Sequence, residues 1–473
     1  MNDQQWDLKI KEAISQAPDE LPPVVREKLE AAYGSLPDRS RRRRFGRPAI
    51  WIGASVAAVI AVTFALGIVS PAMAQVLRQL PVIGTAFHTA GDVGVQRSAE
   101  GGLATSVGQT VEDQGIAITL DQVVYDGTRI SVGLLHERNL DIRFAPGDSL
   151  RADGRFLNAG IGGVSKVLPD GMTASVYTFT FEDQLPDQFD LDIHFQEVTV
   201  VRDGKPETID GNWWFETPVS KIKEGVKEKK FDPPLVREID GIRVAVTGVT
   251  LTPLTTQISY DLEKPDRYEP SFVMGRDVPK GETVTYSGLD FQLWDEQGLM
   301  LEPLGGSMHH QPGEPEHHVI QFAPTALESH ELVLRTVERQ SRMRSEGNRT
   351  YVGAERPVIK YYLLPDAFPY TASQGKAGDI IFRGVTFEDD QTWVEYEVRG
   401  SDPYVQDSAW WLEDATGTEY RFDRYDQTRL REDAYVYKVK LPKIFQKANL
   451  KVAVFEFEPS KRIDELEMNI PLD

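Results

Sequence analysis

The chain has 473 residues, with 52 basic and 73 acidic side chains, a net charge of −21 and no cysteine. The absence of thiols excludes a disulfide framework and any thiolate metal site. So acidic a balance offers no basic face to nucleic acid, and no nucleic-acid partner is expected.

Residues 1–38 are predicted to form two short amphipathic helices. In DQQWDLKIKEAISQA, Trp6, Ile10, Ala13 and Ile14 recur at helical spacing. A second stripe, Val25, Leu29, Ala32, Tyr33 and Leu36, follows Pro22-Pro23 and stops between Gly34 and Pro37. So short a segment has no core in which to bury either stripe. The expected role is a helix-in-groove ligand for a cytosolic partner, with Trp6, Ile10, Ile14, Val25, Leu29 and Tyr33 as the partner-binding residues. A disordered or membrane-surface tail is the competing reading.

Six arginines follow: Arg39, Arg41, Arg42, Arg43, Arg44 and Arg47. Residues 49–69 (AIWIGASVAAVIAVTFALGIV) then carry no charge. As a helix they would reach roughly 30 Å, the thickness of a bilayer core. Pro48 suits a first helical turn, and Pro71 stands just past the end. The arginines set topology by the positive-inside rule and meet anionic lipid, which places the N-terminus in the cytoplasm. Ala72-Met73-Ala74 before Gln75 also resembles a signal-peptide cleavage site. The 38 residues ahead of the arginines and the length of the apolar run favour an uncleaved anchor. Gly53, Ala57, Ala61 and Ala65 fall four apart, a spacing that permits a homodimer through the membrane helix. The organisation expected here is a cytoplasmic helical segment with its arginine flank at 1–48, a transmembrane helix at 49–69 and a juxtamembrane segment at 70–99. The juxtamembrane segment, amphipathic and broken at Pro81, either lies on the membrane or caps the first outer domain.

From about residue 100 the pattern becomes β, with short alternating apolar runs and frequent turn signals. Three elements recur in the same order. GIAITLDQVVYDGTRISVGL from Gly115 returns as GIRVAVTGVTLTPLTTQISYDL from Gly241 and as DIIFRGVTFEDDQTWVEYEV from Asp379. A glycine hairpin follows each, around Gly154, Gly298 and Gly417. A strand closes each: FDLDIHF, ELVLRTV and NLKVAVF. The fold class expected is mainly β, with tandem immunoglobulin-like β-sandwich domains outside the membrane at 100–220, 221–370 and 371–473. Only the architecture is implied, because the Cys…Trp…Cys hallmark is absent.

Four stretches carry a family resemblance: the arginines before the span, VSPAMAQVLRQLPVIGTAF, GGLATSVGQTVEDQGIAIT and VVYDGTRISV. They are similar to Gram-positive membrane proteins of domain-of-unknown-function family 4179. The chain from about residue 220 more loosely resembles the immunoglobulin-like domain of unknown function 5643 that often follows. Members of the family are described as anti-sigma factors or sigma-factor effectors. The resemblance therefore implies an extracytoplasmic-function sigma factor as the cytosolic partner and an ectodomain sensing an unknown envelope ligand. Zinc-binding anti-sigma domains use His and Cys, so residues 1–38 do not resemble that subtype.

No nucleophile elbow, HExxH, Walker A or GxGxxG motif occurs in a suitable context. Neither enzymatic activity nor a cofactor is expected. In HHQPGEPEHH, His309, His310, His317 and His318 flank Glu314 and Glu316, which is a metal-ligand composition. Adjacent histidines on a strand point to opposite faces, so a polar hairpin tip is the preferred reading and no metal is assigned. The leading expectation is a single-pass, anti-sigma-factor-like membrane regulator. The alternative is a cell-surface adhesion or wall-binding module without a regulatory role.

Overall fold

The computed structural model describes residues 85–473 except 139, 143–148, 169, 182–184, 203–204, 266–267, 269–282, 312, 327, 347–348, 354–357, 423–426, 432, 446–448 and 457. The chain divides into the units Met1–Val69 and Ser70–Asp473, and every described residue belongs to the second. The two helices expected in residues 1–38, the arginine run and the apolar segment 49–69 lie outside the described residues. Among the described residues no helix is long and apolar enough to cross a membrane.

The described residues are mainly β and build three pairs of facing antiparallel sheets. In the first pair, one sheet runs β1 (Thr105–Asp113), β2 (Ile116–Tyr125), β3 (Arg129–Glu137), β8 (Met172–Thr180), β7 (Gly160–Val167). Its partner runs β10 (Lys205–Ser220), β9 (Gln188–Arg202), β5 (Ser149–Ala152), β6 (Arg155–Phe156), and β4 (Leu140–Asp141) also pairs with β9. Alternation decides which side chains enter the core. Along β10, Trp213, Phe215, Thr217 and Val219 are buried while Asn212, Trp214, Glu216 and Pro218 face out. Trp213 and Phe215 meet Ile118, Tyr125, Ile193 and Phe195 in one core between the sheets.

The second pair repeats the plan. Its larger sheet runs β11 (Lys227–Ile239), β12 (Ile242–Leu251), β13 (Thr256–Glu263), β16 (Glu316–Phe322), β15 (Pro303–His309). The facing sheet joins β14 (Thr283–Trp294), β17 (Glu331–Glu346) and β18 (Arg349–Gly353), with β28 (Lys461–Arg462) and β29 (Met468–Pro471) also on β17. In the third pair, β20 (Tyr370–Ser373), β21 (Gly378–Phe387), β22 (Gln391–Gly400), β26 (Val436–Pro442) and β25 (Gln427–Arg429) form one sheet in that order. The order β19 (Val358–Leu363), β27 (Lys451–Glu456), β23 (Trp410–Glu413), β24 (Glu419–Tyr420) forms the other.

The three sequence repeats occupy equivalent places. The first element is β2–β3, β12–β13 and β21–β22, and each first strand bulges at the matching residue: Asp121, Thr247 and Arg383. The hairpin glycines Gly154, Gly298 and Gly417 all have φ between 74° and 83°, which a residue with a Cβ adopts only under strain. The closing strands lie in β9, β17 and β27.

The return strands depart from the tandem plan. In the first sandwich β9 turns directly into β10, which runs back along it. β17 starts the same return, pairing with β18 over residues 342–346. The chain then leaves, and β19 pairs with β27 of the third sandwich. After β27 the chain crosses back. Lys461 and Arg462 pair with Glu338 and Val337, and residues 468–471 pair with 331–334. Leu466, Met468 and Ile470 are buried in the second core. The second and third sandwiches have therefore exchanged their last strands, and the expected domains 221–370 and 371–473 do not coincide with the folded bodies. The reason is physical: ladder bonds are made by backbone, so an edge accepts any antiparallel strand whose alternation fits the face.

Helices α1 (Thr85–Thr89) and α2 (Val93–Glu100) lie on the outer face of the first sheet. The bulge at Asp121 turns its carboxylate to accept from Ala86 N at 2.9 Å. Gly133 supplies the space for α1, because a Cβ there would stand 2.8 Å from that of Ala86. The described part of the juxtamembrane segment thus caps the first sandwich.

Candidate functional site

The best-formed polar site among the described residues is a joint where α2, the first sandwich and the second sandwich meet. It is built on the β2–β3 turn, Asp126-Gly127-Thr128-Arg129. One oxygen of Asp126 accepts from Thr128 N at 2.8 Å, Thr128 Oγ1 at 2.8 Å and Arg129 N at 3.1 Å. Gly127 has φ 94° and lies under the Lys221 side chain, where a Cβ would collide. The other Asp126 oxygen accepts from Thr252 Oγ1 of the second sandwich at 2.6 Å. Thr252 itself accepts from Leu254 N and Thr255 N, which fixes the turn.

Arg129 is 1% exposed. Its Nη1 donates to one oxygen of Asp92 at 2.5 Å and its Nη2 to the other at 2.9 Å. Nη2 also donates to Leu254 O at 3.2 Å. Asp92 is at the same time the N-cap of α2, accepting from Gly94 N at 2.9 Å and Val95 N at 3.1 Å. Burial pushes the Arg129 pKa down, but Asp92 and Asp126 outweigh it and hold the guanidinium above its usual value. The charge is kept and held in a two-point geometry that Lys cannot reproduce. Leu254 buries its side chain with Phe87, Ala90, Val95, Val124 and Val176. Its carbonyl lies so close to Gly94 that a Cβ there would collide with it. Gln321 completes the joint, donating to Thr128 O at 3.2 Å and accepting from Thr180 Oγ1 at 3.3 Å.

A second joint lies between the second and third sandwiches. Arg339 reaches Asp290 with Nε and Asp402 with Nη2, both at 2.6 Å. Gln292 donates to the same Asp402 oxygen at 3.3 Å. Burial raises the Asp402 pKa despite Arg339. Met300 N donates to Tyr435 OH at 2.5 Å, and Tyr404 OH donates to Met300 O at 3.2 Å.

A cleft of about 380 Å³ opens in the second sandwich beside Tyr260, Lys264, Phe291, Met308, Glu316 and His318. Glu316 is bonded to Lys264 and lies 3.0 Å from His318 Nε2. His318 stacks on Tyr260 with centroids 4.9 Å apart. The histidine hairpin is formed, with Met308 opposite His318 and His309 opposite His317. Alternation separates His317 from His318: His317 binds Asp261 at 2.8 Å on one face while His318 serves the cleft on the other. No group of three or more His, Asp or Glu ligands is assembled among the described residues.

Trp6, Ile10, Ile14, Val25, Leu29, Tyr33 and the arginines from Arg39 to Arg47 lie outside the described residues. Sequence reasoning singled out VVYDGTRISV by resemblance and left Asp92 and Arg129 without a role. The signal available was a lone arginine in a run that is otherwise apolar or turn-forming, which asks for a buried counter-charge.

The fold and joint together define a multi-sandwich β protein with a helix pair clamped at its N-terminal side. Residues 46–137, which take in that clamp, match the family described as Domain of unknown function (DUF4179). No curated protein matches the chain. Among solved structures it is similar to one described as the conserved domain protein from Bacillus anthracis. The identity is 16%, covering 55% of this chain and 82% of that one, at a TM-score of 0.40.

Proposed function

We propose that the chain is a single-pass membrane regulator of the anti-sigma-factor-like kind. In this reading residues 1–38 hold an extracytoplasmic-function sigma factor in the cytosol, residues 49–69 anchor the chain in membrane lipid, and the immunoglobulin-like sandwiches sense envelope state. The observation that carries it is the Asp92–Arg129 clamp. The helix pair that comes after the predicted span is fastened into the first sandwich and, through Leu254 and Asp126, to the second. A change at the outer domains would therefore reach the helix pair at residues 85–100. An adhesin needs no such clamp.

Topology is the first test. Reporter fusions after residue 38 are expected to be active only inside the cell, and fusions after residue 100 only outside. Recovery of a soluble mature form starting at Gln75 would contradict the anchor.

A further inference from the structure

The outer face of the β10–β9–β5–β6 sheet carries a row of groups that the clamp does not use. Cross-strand partners in an antiparallel ladder share a face, so the register identifies the row. Glu216 lies opposite Asp192, Asp192 opposite Arg151, and Arg151 opposite Phe156. One step along, Trp214 lies opposite His194. The indole is 47% exposed and stacks on the His194 ring with centroids 5.2 Å apart. His194 Nε2 is 2.7 Å from Asn212 Oδ1, which holds the pair in place. Phe156, at 61% exposed, stands three strands away, roughly 14 Å at the usual strand spacing.

Two of these features have a cost in the isolated protein. A large aromatic is left in water on a strand whose neighbouring residue, Trp213, is fully buried. Asp192 and Glu216 are like charges set directly opposite, an arrangement that destabilises a sheet. Neither carboxylate is in an ion pair among the described residues, and Arg151 is the single cation in the row. A ligand that relieves both has an apolar flat face for the indole and positive charge for the carboxylates. A pyranose ring offers C–H groups on one face, and an amino substituent provides the ammonium, which the indole also attracts. Hydroxyl groups on the same ring suit the planar acceptors and donors of Asp192, Glu216, Asn212 and Arg151. Anionic polymers are disfavoured by the two carboxylates.

We propose that this face of the first sandwich binds a glycan bearing free amino groups, with Trp214 as the stacking platform and Asp192 and Glu216 as the ammonium acceptors. The site does not depend on whether residues 1–38 hold a sigma factor. It gives the outer domains a ligand class that either a sensor or a wall-binding module would use.

The test is titration of the full chain in detergent with a glucosamine hexamer, read by tryptophan fluorescence and calorimetry. Saturable binding is expected, weakened at least tenfold in Trp214→Ala and in Asp192→Asn/Glu216→Gln. Phe445→Ala, at an exposed aromatic outside this sheet, should bind as the unaltered chain does. The N-acetylated hexamer should bind at least tenfold more weakly. Circular dichroism of each variant confirms that the fold is kept. Absence of saturable binding, or undiminished binding by Trp214→Ala, overturns the site. Equal binding of the acetylated hexamer, or of a polyanion, overturns the amine assignment.

Discussion

Arg129 and Asp92 close on each other through two hydrogen bonds, and the same Asp92 carboxylate caps the helix that the arginine holds against the sheet. One acid thus does two jobs: it neutralises a buried guanidinium and it satisfies the free amides at the start of α2. Removing either partner therefore loosens the helix as well as the charge pair.

Arg129→Met is expected to cost about 3 kcal/mol, the lower end of the range for breaking a buried pair, because Asp92 keeps some access to water. Asp92→Ala combined with Arg129→Met should cost less than the sum of the single changes by about 1–3 kcal/mol. Denaturant titration of the four proteins measures this. Strict additivity would mean that the two residues do not act together.

Gly94→Val forces a side chain against the Leu254 carbonyl and should separate α2 from the second sandwich. The expected signs are early proteolysis within residues 85–104 and faster amide exchange at Leu254. Gly162→Ala faces open space at an ordinary φ and should change stability by less than about 0.5 kcal/mol. Equal behaviour of the two variants would mean that the close approach at Gly94 does not hold the helix in place.

Acid should destabilise the second sandwich. Burial lowers the His318 pKa below 6.5, so as pH falls from 7 the unfolded chain takes the proton first and stability declines. His136 acts with the same sign and cause in the first sandwich. Burial would raise the Glu316 pKa, but hydrogen bonds from Lys264 and His318 outweigh it and the pKa is lowered. Its contribution is therefore present above pH 4.5 and is lost as pH falls through the folded value. Asp402 opposes them, since its raised pKa favours the protonated folded form. Melting temperature between pH 7 and 5 should fall, and His318→Gln should flatten that slope. An unchanged slope would show that His318 is not the group involved.

Separate fragments 221–370 and 371–473 should each fail to fold cooperatively, because each lacks the strand that the other supplies. Mixed together they should recover the exchanged pair. Met468→Ala should cost about 2–5 kcal/mol and raise amide exchange along β17, in the second sandwich, although residue 468 comes after the third in sequence. Increased exchange confined to β27 would contradict the strand swap.

Periodicity and turn chemistry made much of this legible. The alternation in FDLDIHF and the glycines at 154, 298 and 417 are local signals, and they locate strands and hairpins directly. The exchange of β19 with β28 and β29 was not legible, since a strand's own residues show which face is apolar and not which edge it joins. The joint was hidden for a related reason. Asp92 and Arg129 are 37 residues apart, and a helix cap reads as a local feature until its second partner is located. His318 and Glu316 were legible as a polar cluster, but their partners Tyr260 and Lys264 come from another strand and the segment just after it.

The proposed regulator stands or falls on the partner of residues 1–38. Burying Trp6, Ile10, Leu29 and Tyr33 at about 1.5–3 kcal/mol each would support a submicromolar complex after ordering costs. The decisive measurement is a pull-down from cytosol with a residue 1–48 peptide, read by mass spectrometry. Retention of an extracytoplasmic-function sigma factor is expected, lost in Trp6→Ala/Leu29→Ala and kept when Lys9 and Lys11 are neutralised. No sigma factor retained, or the same proteins retained by both the unaltered and the doubly substituted peptide, would contradict it.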